Sequence, residues 1–375
     1  MLGSTTTEFV PTAPPQAKPP APGLAWPTYG FDGARTRTAS FALRPPFRRL
    51  WVFHGQALLE FPPAVAYGRV YLPTFDGRFF ALDAATGKAL WRHRSGRCGW
   101  ASPAVFAHTV YVTFVGSGEC RSSRPGGELD AFDAATGKLR WRRELGPTES
   151  SPLVVDGEVV VGDWNGEVWA FSARSGRTLW RTATGGAVKG SVAAGGGRLF
   201  IGNYAGRVYA LAPRGGRVLW TAGGHGSFYS SPAVAYGRVF IGSLDGGVYA
   251  FGAATGNLLW SRATGGYVYA SPAVDDRLVL VGSYDHRFYA LDAGTGAVRW
   301  RFDAGGRISG AASVVGGLVY FSTFAERTFA LDVKSGRLVS SWADGKYSPA
   351  VADATRLYLV GLGRLYAFTA RSGAG

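Results

Sequence analysis

The chain has 375 residues, 46% apolar and 14% aromatic, which is enough to bury a large core and excludes wholesale disorder. Its 55 Gly and 20 Pro carry no Gly-X-Y period, so collagen is excluded and many tight turns are expected; no stretch approaches the ~20 apolar residues of a membrane-spanning helix. The net charge of +15 reflects 34 Arg and 6 Lys spread without a run of five bases, which reads as a diluted basic surface rather than a specific nucleic-acid footprint.

Residues 1–25 hold Pro11, Pro14, Pro15, Pro19, Pro20 and Pro22 among Ser, Thr and Ala. Such a segment cannot form a core and is expected to be an extended linker, with residues 26–375 as the folded domain. No charged n-region followed by an apolar h-region is present. A spacer implies something to be spaced from, so an anchor or leader upstream of this chain is expected in preference to a free tail.

The domain is longer than the ~250 to 300 residues at which a single core usually divides, which leaves two domains or a repeat array. A repeat is present. The phrase Ala81-Leu82-Asp83-Ala84-Ala85-Thr86-Gly87-Lys88-Ala89-Leu90-Trp91 recurs, closing at Trp91, Trp141, Trp180, Trp220, Trp260 and Trp300, with Ser340 at the seventh position. The spacings are 50, 39, 40, 40, 40 and 40, so one copy carries about ten extra residues. Each copy reads as four short strands; in the fifth these are 229–235, 238–243, 247–251 and 258–263. Asp76-Gly77, Asn165-Gly166 and Asp245-Gly246 suggest two-residue hairpins. Four strands per ~40 residues is the pattern of a β-propeller blade. Seven copies are complete between Phe61 and Gly345, and 348–370 supplies three strands more. The segment Phe47-Arg48-Arg49-Leu50-Trp51-Val52 matches the tryptophan-bearing fourth strand and would complete that last blade, leaving no open edge. The expected fold is all-β: an eight-bladed propeller closed by an N-terminal strand.

The phrase A-x-D-x-x-T-G-x-x-x-W resembles the tryptophan-docking repeat of the pyrroloquinoline-quinone-like propeller superfamily, and the resemblance covers residues 26–373, including Trp26-Pro27-Thr28-Tyr29-Gly30. Asp is kept at 83, 133, 292 and 332 and replaced by Ser172, Ala212, Gly252 and Thr369. The resemblance implies that Trp51, Trp91, Trp141, Trp180, Trp220, Trp260 and Trp300 pack between blades, a structural role. The superfamily contains quinone-dependent dehydrogenases and non-catalytic members such as the propeller lipoprotein of the outer-membrane β-barrel assembly machinery.

Recognition in a propeller usually takes place where the inner strands begin. Alignment on Ser102-Pro103, Ser151-Pro152, Ser231-Pro232, Ser271-Pro272 and Ser348-Pro349 puts Glu60, Trp100, Glu149, Lys189, Tyr229, Tyr269, Ser309 and Lys346 around that channel mouth. Their diversity within a monotonous repeat marks them as positions free to recognise a ligand; the bland alternative is a solvated rim of paired charges. Trp164, Tyr204, Tyr284, Asp285 and His286 lie in hairpins of the same face, with His286 read as an exposed turn residue. The extra residues fall at 116–127, so Cys120 in that loop and Cys98 before the inner strand share the face, and a disulfide is expected over two free thiols.

Quinone dehydrogenases of the superfamily use a calcium ion, an aspartate base and, in most alcohol-oxidising members, a pair of adjacent cysteines. Here the two cysteines are apart, insertions are minimal, and no Ser-His-Asp order, Walker sequence or HExxH occurs. Lys189 and Arg307 form at most a weak anion grip. The expectation is therefore no enzyme and neither quinone nor calcium as cofactor. The chain reads as a monomeric binding or scaffold domain of the cell envelope, outside the cytoplasm, for a protein, a peptide or a cell-wall polymer. The alternatives are a quinone-dependent dehydrogenase and a ligand-sensing domain that signals through another chain.

Overall fold

A computed structural model describes residues 23–116 and 125–371, in which every regular element is a strand. The strands form eight sheets, in each of which four strands run antiparallel, and these are the blades of a closed ring. Three strands lie outside the repeats: β1 (Leu24–Trp26), β2 (Thr38–Ala39) and β3 (Phe47–His54). As expected, β3 pairs with Arg364–Ala370 and completes the eighth blade, with Trp51 opposite Ala367.

The repeat phrase owes its residues to the seams between blades. Asp83 Oδ1 accepts bonds from the amides of Ala85 and Thr86 and from the Thr86 hydroxyl, which folds the chain back between third and fourth strands. The glycine after the threonine must adopt positive φ and also bear an indole from the preceding blade. At Gly256 φ is 76°, and a Cβ would lie 2.7 Å from the Trp220 ring. Each indole Nε1 then donates across the seam: Trp51 to Ala84 O, Trp91 to Ala134 O, Trp141 to Ala173 O, Trp180 to Pro213 O, Trp220 to Ala253 O, Trp260 to Ala293 O and Trp300 to Val333 O, at 2.9 to 3.2 Å. A second stitch runs nearer the axis. The amides of Ser102, Ser151, Ser191 and Ser231 each donate to the serine hydroxyl of the next blade, Ser151, Ser191, Ser231 and Ser271, at 2.8 to 3.0 Å.

The structure departs from the sequence reading in three places. The hairpins at Asp76-Gly77, Asn165-Gly166 and Asp245-Gly246 have three-residue loops rather than two: Gly246 N donates to Ser243 O and Ser243 N to Gly247 O, with Gly246 at φ 87°. This is a turn followed by a left-handed glycine, which Asp-Gly serves as well as it serves the two-residue form. The inner strands are only three residues long, Ala233–Ala235 in the fifth blade, and they are no longer where no proline precedes them, as in Ala193–Gly195 and Ser313–Val315. Finally, two blades have five strands, not four, since β1 adds to Ala64–Ala66 and β2 to Ser313–Val315. Regular pairing thus begins at Leu24, inside the expected 1–25 linker, whose residues 1–22 lie outside the described residues.

These added strands belong to a strap, residues 24–44, that spirals inside the channel and touches the blades in order. Inner-strand amides of Val105, Ala194, Val234, Val274 and Val314 donate to the strap carbonyls of Pro27, Gly33, Ala34, Thr36 and Arg37 at 2.7 to 2.9 Å. Arg35, wholly buried, donates to Val192 O at 2.6 Å, Ser151 O at 3.0 Å and Tyr29 O. Burial lowers its pKa to about 9, which the neighbouring Arg37 reinforces. Arg37 donates to Pro272 O at 3.0 Å and lies 4.7 Å under the Tyr29 ring.

Candidate functional site

With the strap seated below, the channel becomes a cup whose floor is Tyr29, its hydroxyl bonded to Ser271 at 3.3 Å. Six of the eight residues expected at the mouth line this cup: Glu60, Glu149, Lys189, Tyr229, Tyr269 and Ser309. Trp100 and Lys346 do not. Trp100 is buried against Phe75 at 5.4 Å and clusters with Cys98 and Val115, because the Cys98 amide and carbonyl both bond to Val115 and draw the segment under the second blade. Lys346 stands above Phe324 and Tyr347 at 5.4 and 5.5 Å.

Two kinds of environment share the mouth. On one side Glu149, 6% exposed, holds Lys189 at 3.5 Å and accepts a 2.6 Å bond from the Tyr229 hydroxyl. Burial, and then the Glu149 charge, push the Tyr229 phenol well above its ordinary value, so it stays a donor. Lys189 also sits 4.2 Å over Trp164 and 5.2 Å over Tyr204. From there an arc of aromatic rings runs around the rim: Tyr204, Tyr229, Tyr269, Tyr284, Phe324 and Tyr347, with successive centroids 6.2, 5.3, 4.8, 5.7 and 5.3 Å apart. Tyr267, 54% exposed, stands against Tyr269 and Tyr284. Arg307 caps Tyr284 at 5.7 Å. The arc is thus an aromatic ledge punctuated by three cations, Lys189, Arg307 and Lys346.

Asp285 does not face this ledge as a ligand. It accepts from the Gly265 and Arg287 amides and the Tyr289 hydroxyl and so fixes its own turn. His286 is exposed at φ 72°, a turn residue. Cys98 is fully buried and carries no free thiol, whereas Cys120 lies outside the described residues. At the base of that loop Arg97 pairs with buried Glu128 and donates to Pro125 O at 3.0 Å, and Asp130 takes a bidentate bond from Arg142 at 2.6 Å. Sequence reasoning missed Tyr29, Tyr267, Phe324 and Tyr347. Phe324 carries a usable signal, since it repeats the position of Tyr284, Tyr204 and Trp164 in other copies; Tyr267 carries none, its equivalents in the adjoining copies being Ser227 and Arg307, and neither does Tyr29, which comes from outside the repeats.

The free space inside the cup is about 60 Å³, a few waters' worth. Its buried carboxylate is already bound to Lys189 and Tyr229. Among the described residues no three His, Cys, Asp or Glu side chains come together as metal ligands.

Comparison with known proteins agrees with the fold. The family described as outer membrane protein assembly factor BamB matches residues 48–125, 93–223 and 164–374. The outer membrane protein assembly factor BamB of Burkholderia pseudomallei is 31% identical over 188 residues, 44% of this chain and 48% of that protein. The match therefore spans about half the length of that relative. Among solved structures, BamB from Moraxella catarrhalis superposes with a TM-score of 0.71 at 18% identity, covering 86% of this chain and 99% of the other. A europium-containing methanol dehydrogenase gives 0.76 at 14% identity, covering 92% and 98%. At such identities both likenesses speak for the fold alone.

Proposed function

The chain belongs to the BamB family of propellers, and from that membership we propose that it is a non-catalytic platform of the cell envelope that binds polypeptide at its channel mouth. The observation that carries the proposal is the ledge: a continuous aromatic arc studded with cations, above a narrow cup. Rigid rings lose little entropy on binding and take both apolar side chains and backbone, while the cations select for carboxylates. Extended, acidic, aromatic-containing peptide is the ligand such a surface fits. Titration of the full chain with peptides of this composition, alongside soluble peptidoglycan fragments, tests it. Peptide binding that weakens about tenfold in Tyr267→Ser/Lys346→Ser supports the proposal. Binding unaffected by those changes, or confined to the glycan, overturns it.

A further inference from the structure

The seam between the seventh and eighth blades differs from the other seven. Ser340 faces Ala330 in the register that elsewhere sets Trp300 against Ala290 and Trp260 against Ala250. The cause lies in the closure. The third and fourth strands of the eighth blade, Arg364–Ala370 and β3, come from opposite ends of the ring, so no Asp-x-x-Thr-Gly turn joins them and no turn carbonyl is offered to an indole.

Two features follow at this seam. Tyr71 and Tyr111 donate to Ala134 O at 3.1 Å and Ala173 O at 3.0 Å, the same carbonyls that receive the indoles of Trp91 and Trp141. Tyr320 holds the equivalent place opposite Ala330, yet its buried hydroxyl has no partner among the described residues. And where the indole would stand there is an open-sided hollow of about 480 Å³, walled by Pro45, Pro46, Phe47, Val339, Trp342 and Phe368 with Ser340 at its base. It adjoins a second hollow of about 340 Å³ that adds Arg49 and Tyr366. Trp342 leans on Tyr320 and Phe368, at 6.1 and 6.4 Å, and leaves the space open.

The rim is basic. Arg44, Arg49 and Arg371 are exposed, and the Arg371 amide bonds to Pro46 O, which sets it at the wall. The carboxylate within ion-pair distance of these three, among the described residues, is Asp332, 3.4 Å from Arg44. Asp344, at the inner end, is already occupied by Gly345 N, Leu362 N, Arg364 and Tyr366.

We infer that this hollow is a socket for an aromatic side chain, presented in trans by a second polypeptide that carries carboxylates beside it. The other seams supply the precedent for an indole between these walls, and the arginines supply the charge preference. The socket is separate from the channel mouth, and its success or failure is independent of that of the ledge.

The test uses the full chain, isotope-labelled, with two probes: acetyl-Asp-Trp-Asp-amide and acetyl-Ser-Trp-Ser-amide. The acidic peptide should shift signals of Phe47, Val339 to Trp342 and Phe368, and bind about fivefold more tightly than the neutral one at low salt. Ser340→Trp fills the socket from within; it should melt at or above the wild-type temperature and weaken the acidic peptide about tenfold or more. If that variant does not fold, Val339→Glu, at a 42% exposed position, sets a like charge at the rim and should weaken the same peptide to a similar degree. Shifts confined to the channel mouth, no binding of either peptide at millimolar concentration, unchanged affinity in the folded variant, or self-association of the chain through this hollow would each overturn the inference.

Discussion

Removing Lys189 alone should cost more stability than removing it together with the charge it faces. The ammonium lies 3.5 Å from Glu149, which is 6% exposed, while Lys189 itself is 24% exposed. With an effective dielectric near 20, a pair at this distance is worth about 4 to 5 kcal/mol of gross attraction. Water reaching the quarter-exposed lysine recovers roughly half of that, leaving about 2 kcal/mol for the stranded carboxylate. Loss of the cation over Trp164 adds about 1 kcal/mol. Lys189→Met should therefore destabilise by about 3 kcal/mol. Glu149→Gln/Lys189→Met should cost only about 1, because the neutral amide still accepts from Tyr229 and no charge is stranded. Urea denaturation of the wild type, both single variants and the double variant forms a complete cycle, provided the m-values agree. A coupling energy below about 0.5 kcal/mol would show that the pair is solvated and would refute this account of the mouth.

Trp260, 8% exposed, donates to Ala293 O at 3.1 Å; Trp260→Ala should cost about 3 to 5 kcal/mol and Trp260→Phe about 1 to 2, read by urea denaturation. Burial alone would raise the Asp344 pKa, but bonds from Leu362 N, Tyr366 and Gly345 N and the charge of Arg364 outweigh it and hold the carboxyl below its ordinary range. Its contribution is thus fully present above the unfolded carboxyl pKa near 4 and is lost as pH falls through the lower folded value. Asp344→Asn should consequently be less stable than wild type at pH 7 and converge with it in acid, as thermal melts across pH would show. Peptide mapping without reductant, on protein made by secretion, should recover Cys98 linked to Cys120; two alkylatable thiols would remove that support for an oxidising compartment.

The blades were legible because their seams impose residue identities. An indole needs a bare glycine and a turn carbonyl in the next blade, and both recur in the A-x-D-x-x-T-G-x-x-x-W phrase at fixed spacing. Even the serine at position 340 was visible in the sequence, although its reason, the absent turn beside β3, is apparent only in the closed ring. The strap was not legible. Its carbonyls accept from blade amides, bonds that any sequence can make, and Arg35 and Arg37 look in the sequence like two more surface arginines in a basic protein. At the mouth, alignment on Ser-Pro found the positions that point into the cup but could not foresee that the Cys98 to Val115 pairing would turn Trp100 aside. The hairpin loops were misjudged by one residue, since Asp-Gly fits two turn geometries that differ only in register.

The strap also sets the order of events during synthesis. Residues 24–44 leave the ribosome before any blade, yet Tyr29 waits for Ser271, Thr38 for Val314 and Glu60 for Ser348. Partners separated by some 240 to 290 residues make ring closure a late, high-contact-order step. Before closure the folding propeller is an open crescent with two bare sheet edges and an unclaimed leading segment, the condition most prone to pairing with the wrong chain. The same seating that blocks the channel in the finished molecule can occur only once, when the last blade meets the first, so a chain truncated in its final repeat should fail as a whole rather than by one eighth.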